Sequence, residues 1–323
     1  MEQQLTPEYI RAHIEIFPLE DGGVKHLYRD TEGYVESVSY ELYPGVNLIF
    51  KEVHRPRYIT NWRENVRPSF VMEYCVSGRL ECQYGAQHLY HCARDVLMFR
   101  KDISVQEQRY PLADFCSVSL SVKPEEFTSF LKNSLGITEL DAEEVFRLYL
   151  PQAQSFMVLK ANDRMDTLFE QIRNPPAHGK SSYWKVKVFE LLVLLRSGET
   201  AFEKPKPSHI SRTQAVTARK AHQYLNDHLF EKITITELAK QLSTSPTQLK
   251  SGFRTVYGVP IHTYLRDQRI HAGAALLRDT DLAVRDIALR VGFCNMSKFA
   301  AAFQTLYGVT PGEYRKRSEG MLP

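Results

Sequence analysis

The sequence predicts a multidomain α+β chain: an N-terminal small β-barrel of the jelly-roll kind followed by helices, then a C-terminal all-α domain with two helix-turn-helix units. Three observations predict it. Residues 31 to 120 alternate apolar and polar side chains in short runs broken by turn residues. Apolar spacing becomes helical between residues 124 and 196. Beyond that, one helical layout is written twice, about 50 residues apart. A length of 323 residues gives room for two domains. With 43% hydrophobic and 24% charged residues, the chain falls among ordinary globular proteins and outside the disordered and collagenous classes.

The first residues, Met1 to Phe17, are polar and acidic where a secretory signal is basic and then apolar, and no apolar run approaches the ~18 residues of a membrane span. A cytoplasmic protein without membrane association is expected. The five cysteines (Cys75, Cys82, Cys92, Cys116, Cys294) are odd in number and contain no C-x-x-C pair, so neither a disulfide scaffold nor a zinc ribbon is expected.

In the barrel region, Val38, Tyr40 and Leu42, then Leu80, Cys82 and Tyr84, then Cys116, Val118 and Leu120 alternate with polar neighbours. Leu48-Ile49-Phe50 and Val96-Leu97-Met98-Phe99 read as short buried runs, and Pro44-Gly45, Ser77-Gly78 and Gly85 as turns. About six to eight short strands make a small barrel. Helices are expected at Pro124 to Leu135 closed by Gly136, at about Ala161 to Ile172, and at Tyr183 to Arg196. The last is apolar almost all round in its second half, so it must be buried within its own domain, against a second subunit, or both.

Phe202-Glu203-Lys204-Pro205-Lys206-Pro207-Ser208 reads as a linker, because alternate prolines cannot continue a helix. It also divides the charge. Residues 206 to 317 hold 17 lysines and arginines against 8 aspartates and glutamates, about +9, and the remainder is acidic. Such a basic unit suits a polyanion, or equally a merely solvated surface.

The repeat within it is specific. Leu238, Ala239 and Leu242 map onto Ile287, Ala288 and Val291 with a shift of 49, and Phe253, Tyr257, Gly258 and Tyr264 map onto Phe303, Tyr307, Gly308 and Tyr314 with a shift of 50. Each copy is a short helix, a four-residue break and a second helix with apolar residues at four-residue spacing, which is a helix-turn-helix. Ser245 and Asn295 are expected to cap the second helices, with Pro246 at the first helical position. Gly258 and Gly308 are expected to end them. The small Ala239 and Ala288 let the two helices of each unit cross closely.

The stretch Gly292-Phe293-Cys294-Asn295-Met296-Ser297-Lys298-Phe299, with Phe303, Tyr307-Gly308-Val309-Thr310-Pro311 and Tyr314-Arg315, closely resembles the C-terminal signature of the AraC/XylS transcription regulators. The resemblance covers Gln214 to Arg317. It implies two helix-turn-helix units joined by a long helix, here about Ile261 to Leu277, whose second helices enter successive major-groove turns. The domains expected are 1–202 for sensing and dimerisation (barrel about 31–120, helices about 124–196), 203–213 as linker and 214–317 for DNA binding. The order of barrel, helices and linker also resembles the family's cupin-like sensor domain, a match of architecture and not of motif. The resemblance further implies a homodimeric, cytoplasmic and nucleoid-associated regulator, an activator that meets promoter DNA, a small-molecule effector and RNA polymerase. Neither catalysis nor a cofactor is expected.

On the first recognition helix, Leu249 and Phe253 should face inward, so Thr247, Gln248, Lys250, Ser251 and Arg254 face out. Thr247, Lys250 and Ser251 resemble the family's base readers, Arg254 is assigned to phosphate, and Ser245 joins the set at the helix start. The second helix departs from the family pattern: its outward position falls in Ala300-Ala301-Ala302. Asn295, Met296, Ser297, Lys298, Ala301 and Gln304 complete the expected contacts, with short polar reach. The first unit is therefore expected to carry more of the sequence specificity.

The barrel interior is the natural small-ligand site, with Tyr58, Trp62 and Arg63 assigned to its mouth. His88, His91 and Glu81 offer metal-ligand chemistry that would suit an enzyme fused to a DNA-binding domain. The spacing His88-Leu89-Tyr90-His91 puts the two histidines on opposite strand faces, so they read as turn or surface residues and no metal is expected. A thiol-responsive regulator using Cys75, Cys82 or Cys92, and a ligand-independent one, stand as alternatives.

Overall fold

Alternation in the N-terminal half builds an antiparallel meander of β1 (Ile14–Pro18), β2 (Val24–Asp30), β3 (Gly33–Tyr43) and β4 (Val46–His54). Pro44-Gly45 closes the β3–β4 hairpin, as expected from the sequence. The computed structural model describes residues 10, 12–58, 69–84, 87–100, 108–151, 156–198, 202–203 and 212–319. Gly85, Trp62 and Arg63 lie outside the described residues, as does most of the expected linker. By internal contacts the chain divides into two compact units, Met1–His209 and Ile210–Pro323.

In the first unit, β5 (Arg57–Tyr58), β6 (Phe70–Tyr84), β7 (Gln87–Cys92), β8 (Asp95–Arg100), β9 (Gln108–Arg109), β10 (Phe115–Val122), β11 (Phe156–Ala161) and β12 (Phe202–Glu203) complete a curled antiparallel sheet, a half-barrel. Its path runs β1-β2-β3-β4-β10-β6-β8-β11-β12. The curl is carried by β6, whose first part pairs with β10 and β8 and whose second part pairs with β7 and β9. Ser77-Gly78 is thus not the expected turn: it lies inside β6, at a bulge where the β10 register slips between Cys116 and Ser117. Gly78 has φ +81°, and a Cβ there would sit 2.1 Å from the Asp114 carbonyl oxygen. Only glycine lets the strand pass this point. β1 and β2 precede residue 31, the expected start of the strands: β1 is exposed at four of its five residues and β2 buries only Tyr28, so neither carries a buried apolar face.

Against the sheet in this unit stand α1 (Pro124–Leu135), α2 (Ala142–Tyr149), α3 (Asp163–Arg173) and α4 (Lys180–Ser197). α1 starts on Pro124 and ends on left-handed Gly136, as expected. α2 was not expected; Asp141 caps it by accepting from the Glu144 N–H. Asn162 caps α3 in the same way through Met165, two residues past the expected start. One face of the sheet packs Met72, Tyr74, Val118 and Leu120 against Phe127, Phe146, Phe169 and Trp184 of the helices. Tyr74 stacks on Phe169 at 4.3 Å, and the buried Trp184 indole donates to the Ile172 carbonyl. α4 buries Trp184, Val188, Leu191, Leu192 and Leu195 but leaves Val186 and Val193 exposed, at 64% and 45%.

The second unit is helical: α5 (Arg212–Asp227), α6 (Ile235–Gln241), α7 (Pro246–Tyr257), α8 (Ile261–Asp279), α9 (Val284–Arg290), α10 (Met296–Tyr307) and α11 (Pro311–Glu319). No helix among the described residues is long and apolar enough to cross a membrane.

Candidate nucleic-acid interface

Two turns with the same hydrogen bonds place the candidate recognition helices. In the first, the Thr244 N–H donates to the Ala239 carbonyl at 3.0 Å; in the second, the Phe293 N–H donates to the Ala288 carbonyl at 2.9 Å. Ala239 and Ala288 are both fully buried at the crossing. The left-handed residue of each turn is Ser243 (φ 52°) or Gly292 (φ 83°), 49 positions apart like the helices before them. The Ser245 hydroxyl then accepts from the Gln248 N–H at 3.2 Å, and the Asn295 carboxamide oxygen from the Lys298 N–H at 2.8 Å. Both expected caps are made, and Gly258 and Gly308 end α7 and α10 in the left-handed conformation.

The inward faces are fixed by packing. Leu249 and Phe253 of α7, and Phe299 and Phe303 of α10, are at most 1% exposed. Phe299 lies in a cluster with Ile270, Leu277, Ile287 and Val291. That leaves Thr247, Gln248, Lys250, Ser251 and Arg254 exposed along α7, with Ser245 at its start. Along α10 Met296, Ser297, Lys298, Ala301 and Gln304 are exposed, with Asn295 before them and Thr305 and Leu306 after, while Ala300 and Ala302 are half-buried.

Each helix has 12 residues, about 18 Å of rod, and its cross-section of about 10–12 Å suits the ~12 Å width of a major groove. The α7 face offers hydroxyls, an ammonium and a guanidinium. The α10 face offers a thioether and a methyl where α7 has long polar chains. The Gln248 side-chain oxygen accepts from the Thr244 hydroxyl at 3.3 Å and keeps a second lone pair, so both amide atoms can still face an adenine edge.

The inner face of the half-barrel holds what sequence reasoning missed, a buried polar network. Glu73 on β6 accepts from the Ser117 hydroxyl at 2.8 Å, and lies 3.9 Å from the Lys51 ammonium and 3.7 Å from His91 Nδ1. Lys51 donates to the Gln108 side chain at 3.4 Å and sits over the Tyr110 and Phe115 rings; the Tyr110 hydroxyl donates to the same Gln108 oxygen. Burial alone would raise the Glu73 carboxyl, but Lys51, His91 and the serine hydroxyls outweigh it and hold it below its ordinary value. For Lys51, burial is likewise outweighed, by Tyr110 and Glu73, and the ammonium is held above its ordinary value. At His91 burial wins and the imidazole is pushed down.

His91 is fully buried, with Nε2 3.0 Å from the Asp95 carbonyl, and Glu81 is 3% exposed. His91 is therefore not the turn or surface residue expected: it stands opposite Leu80 of the interior cluster, because β7 pairs with the curled end of β6. The His88 side chain lies outside what is described. Tyr58 packs in this interior against Tyr28. The thiols of Cys75, Cys82 and Cys92 are raised by burial, that of Cys92 to about 12.

Residues 238–317 match the family described as Helix-turn-helix domain, and residues 32–200, just over half of the chain, match the family described as Regulatory protein PchR N-terminal domain. Over 119 residues (34% of this chain, 15% of the relative) the chain is 34% identical to the uncharacterized HTH-type transcriptional regulator YtdP of Bacillus subtilis. It is 31% identical to the arabinose operon regulatory protein of Escherichia coli over 155 residues, 47% of this chain and 51% of that protein. It is 30% identical over 97 residues to the HTH-type transcriptional activator AarP of Providencia stuartii, 30% of this chain and 72% of the relative. The chain therefore spans about half or less of the first two relatives.

Proposed function

This chain belongs to the AraC family of DNA-binding transcription regulators, and from that membership we propose that it binds promoter DNA as a homodimer and activates transcription in response to a small molecule held by its N-terminal half-barrel. In this reading residues 1–202 sense and dimerise, 203–213 link, and 214–317 bind DNA. α7 reads bases through Thr247, Gln248, Lys250 and Ser251, with Arg254 on phosphate. α10 contributes positioning through Ser297, Lys298 and Gln304, with Met296 and Ala301 against bases. Ser245 and Asn295 start the two reading helices.

The observation that carries the reading is the pair of matching turns, each presenting an exposed polar helix face in a unit of about +9. The activator role is supported by the name of the AarP relative, and it brings RNA polymerase in as partner and the cytoplasmic nucleoid as location. The dimer is supported by exposed Val186 and Val193, which lie seven residues and two turns apart on one face of α4. Catalysis is no part of the reading, since Glu73 is already held by Lys51 and Ser117. A thiol-responsive switch is disfavoured, because burial suppresses the thiolate at Cys75, Cys82 and Cys92.

Capture of sheared genomic DNA of the source organism on the purified full-length protein, without added ligand, tests the proposal. Retained promoter fragments sharing a directly repeated motif are the expected result. Absence of retention at moderate salt would overturn it. Sequential addition of metabolites tied to the neighbouring genes then tests the effector by a shift in melting temperature.

A further inference from the structure

At the middle of α8, Arg269 reaches both halves of the C-terminal unit. Its Nε donates to the Leu229 carbonyl at 2.8 Å and one terminal nitrogen to the Glu231 carbonyl at 2.7 Å, both in the segment between α5 and α6 of the first helix-turn-helix unit. The other terminal nitrogen donates to the Gly292 carbonyl at 3.0 Å, in the turn of the second. The two segments touch beside it: a Cβ on Gly292 would lie 2.9 Å from the Phe230 carbonyl oxygen and 3.0 Å from the Arg269 guanidinium carbon.

Elsewhere each half of α8 serves its own side. Near its start the Tyr264 hydroxyl donates to Asn226 and meets His222 on α5. Further along, His271 meets the Tyr307 hydroxyl of α10, and Arg315 donates to the Leu277 and Leu282 carbonyls. Arg269 sits where these two sets meet. Its planar fork of fixed donors spans carbonyls that a single ammonium nitrogen cannot reach together.

We infer that Arg269 is a positioning residue that locks the two helix-turn-helix units to each other, and so sets the separation of the two DNA segments the protein accepts. This inference rests on the DNA-binding reading above. Inserting one base pair between two contacted segments moves one by about 3.4 Å and turns it by about 35°. A rigid pair of reading helices resists that change; a loosened pair accommodates it.

The test uses full-length protein and a duplex selected by the wild-type chain from a random DNA pool. Binding is measured on that duplex and on versions with one base pair added or removed between the two contacted segments, for wild type, Arg269→Met and Arg269→Lys, with circular dichroism and melting recorded for each. Wild type is expected to lose at least tenfold in affinity on respacing. Arg269→Met and Arg269→Lys are expected to bind the parent duplex at least tenfold more weakly and to lose less than threefold on respacing. Folded variants that keep the wild-type respacing ratio would overturn the inference, whatever their absolute affinity. Loss of folding in both variants would also overturn it, by assigning Arg269 to stability alone. Failure of wild-type protein to select any motif would instead sink the DNA-binding reading itself.

Discussion

Gly273 on α8 offers a sharp test of how the second recognition helix is seated. An alanine methyl there would lie 2.7 and 2.8 Å from the Phe299 ring carbons Cε2 and Cζ. Carbon atoms in good contact stand about 3.5–4.0 Å apart, so the ring must retreat by about 1 Å. Phe299 is fully buried, with Phe293 edge-on at 5.4 Å and Phe303 at 5.6 Å. Overpacking of this kind costs about 1–3 kcal/mol, against a gain of about 1 kcal/mol from replacing glycine in a helix. Gly273→Ala should therefore destabilise the α9–α10 region by up to about 2 kcal/mol. Hydrogen exchange on the full chain should show protection over residues 284–307 falling by up to about 30-fold while residues 235–257 change little. Adding Phe299→Leu should recover part of the loss, a less than additive pair. A rise in protection over 284–307 in Gly273→Ala would refute the reasoning, because helix propensity would then have prevailed over a contact claimed to be tight.

Four further outcomes are expected. Ser243→Gly should stabilise the first helix-turn-helix unit by about 1 kcal/mol, read by the same exchange experiment, because Ser243 occupies the left-handed region that its counterpart Gly292 occupies freely. Glu73→Gln should lower N-terminal stability by about 3–5 kcal/mol, read by tryptophan fluorescence, since it leaves the buried Lys51 ammonium without its counter-charge; an unchanged melting temperature would count against the network. His222 stacks on Tyr257 and burial lowers its pKa from 6.5 to about 4. With the folded value depressed, its contribution is complete above pH 6.5 and is lost as pH falls towards 4, on the order of 3 kcal/mol, and His222→Gln should flatten that slope in acid melts. Lys250→Ala should cost more discrimination across single-base operator variants than any substitution at Ala301, and the reverse order would sink the assignment of specificity to α7.

The C-terminal unit was legible because its signals are local. Ser245, Asn295, Gly258 and Gly308 act within one turn of their own helix, and the inward Leu249 and Phe253 follow from helical spacing alone. Arg269 was not legible, because its partners are main-chain carbonyls 38, 40 and 23 residues away in sequence, and carbonyls leave no mark on the residue string. The half-barrel was legible as strands but not in its interior. Ser117 and Ser119 alternate with Val118 and Leu120 as a solvated face would, yet β10 is central in the sheet and buried on both faces. Small hydroxyls in place of lysine or glutamate were the available sign. Ser77-Gly78 misled because the same dipeptide serves a turn or a bulge, and only the length of β6 separates them.

The buried network of the half-barrel amounts to an internal competitor. Any molecule entering there would have to take over, one for one, the places that Glu73 holds beside Lys51 and Ser117. A purely apolar visitor would strand those groups and be rejected. An acidic visitor would meet a Lys51 charge that Glu73 already balances, so what this interior admits is set by groups that already satisfy one another.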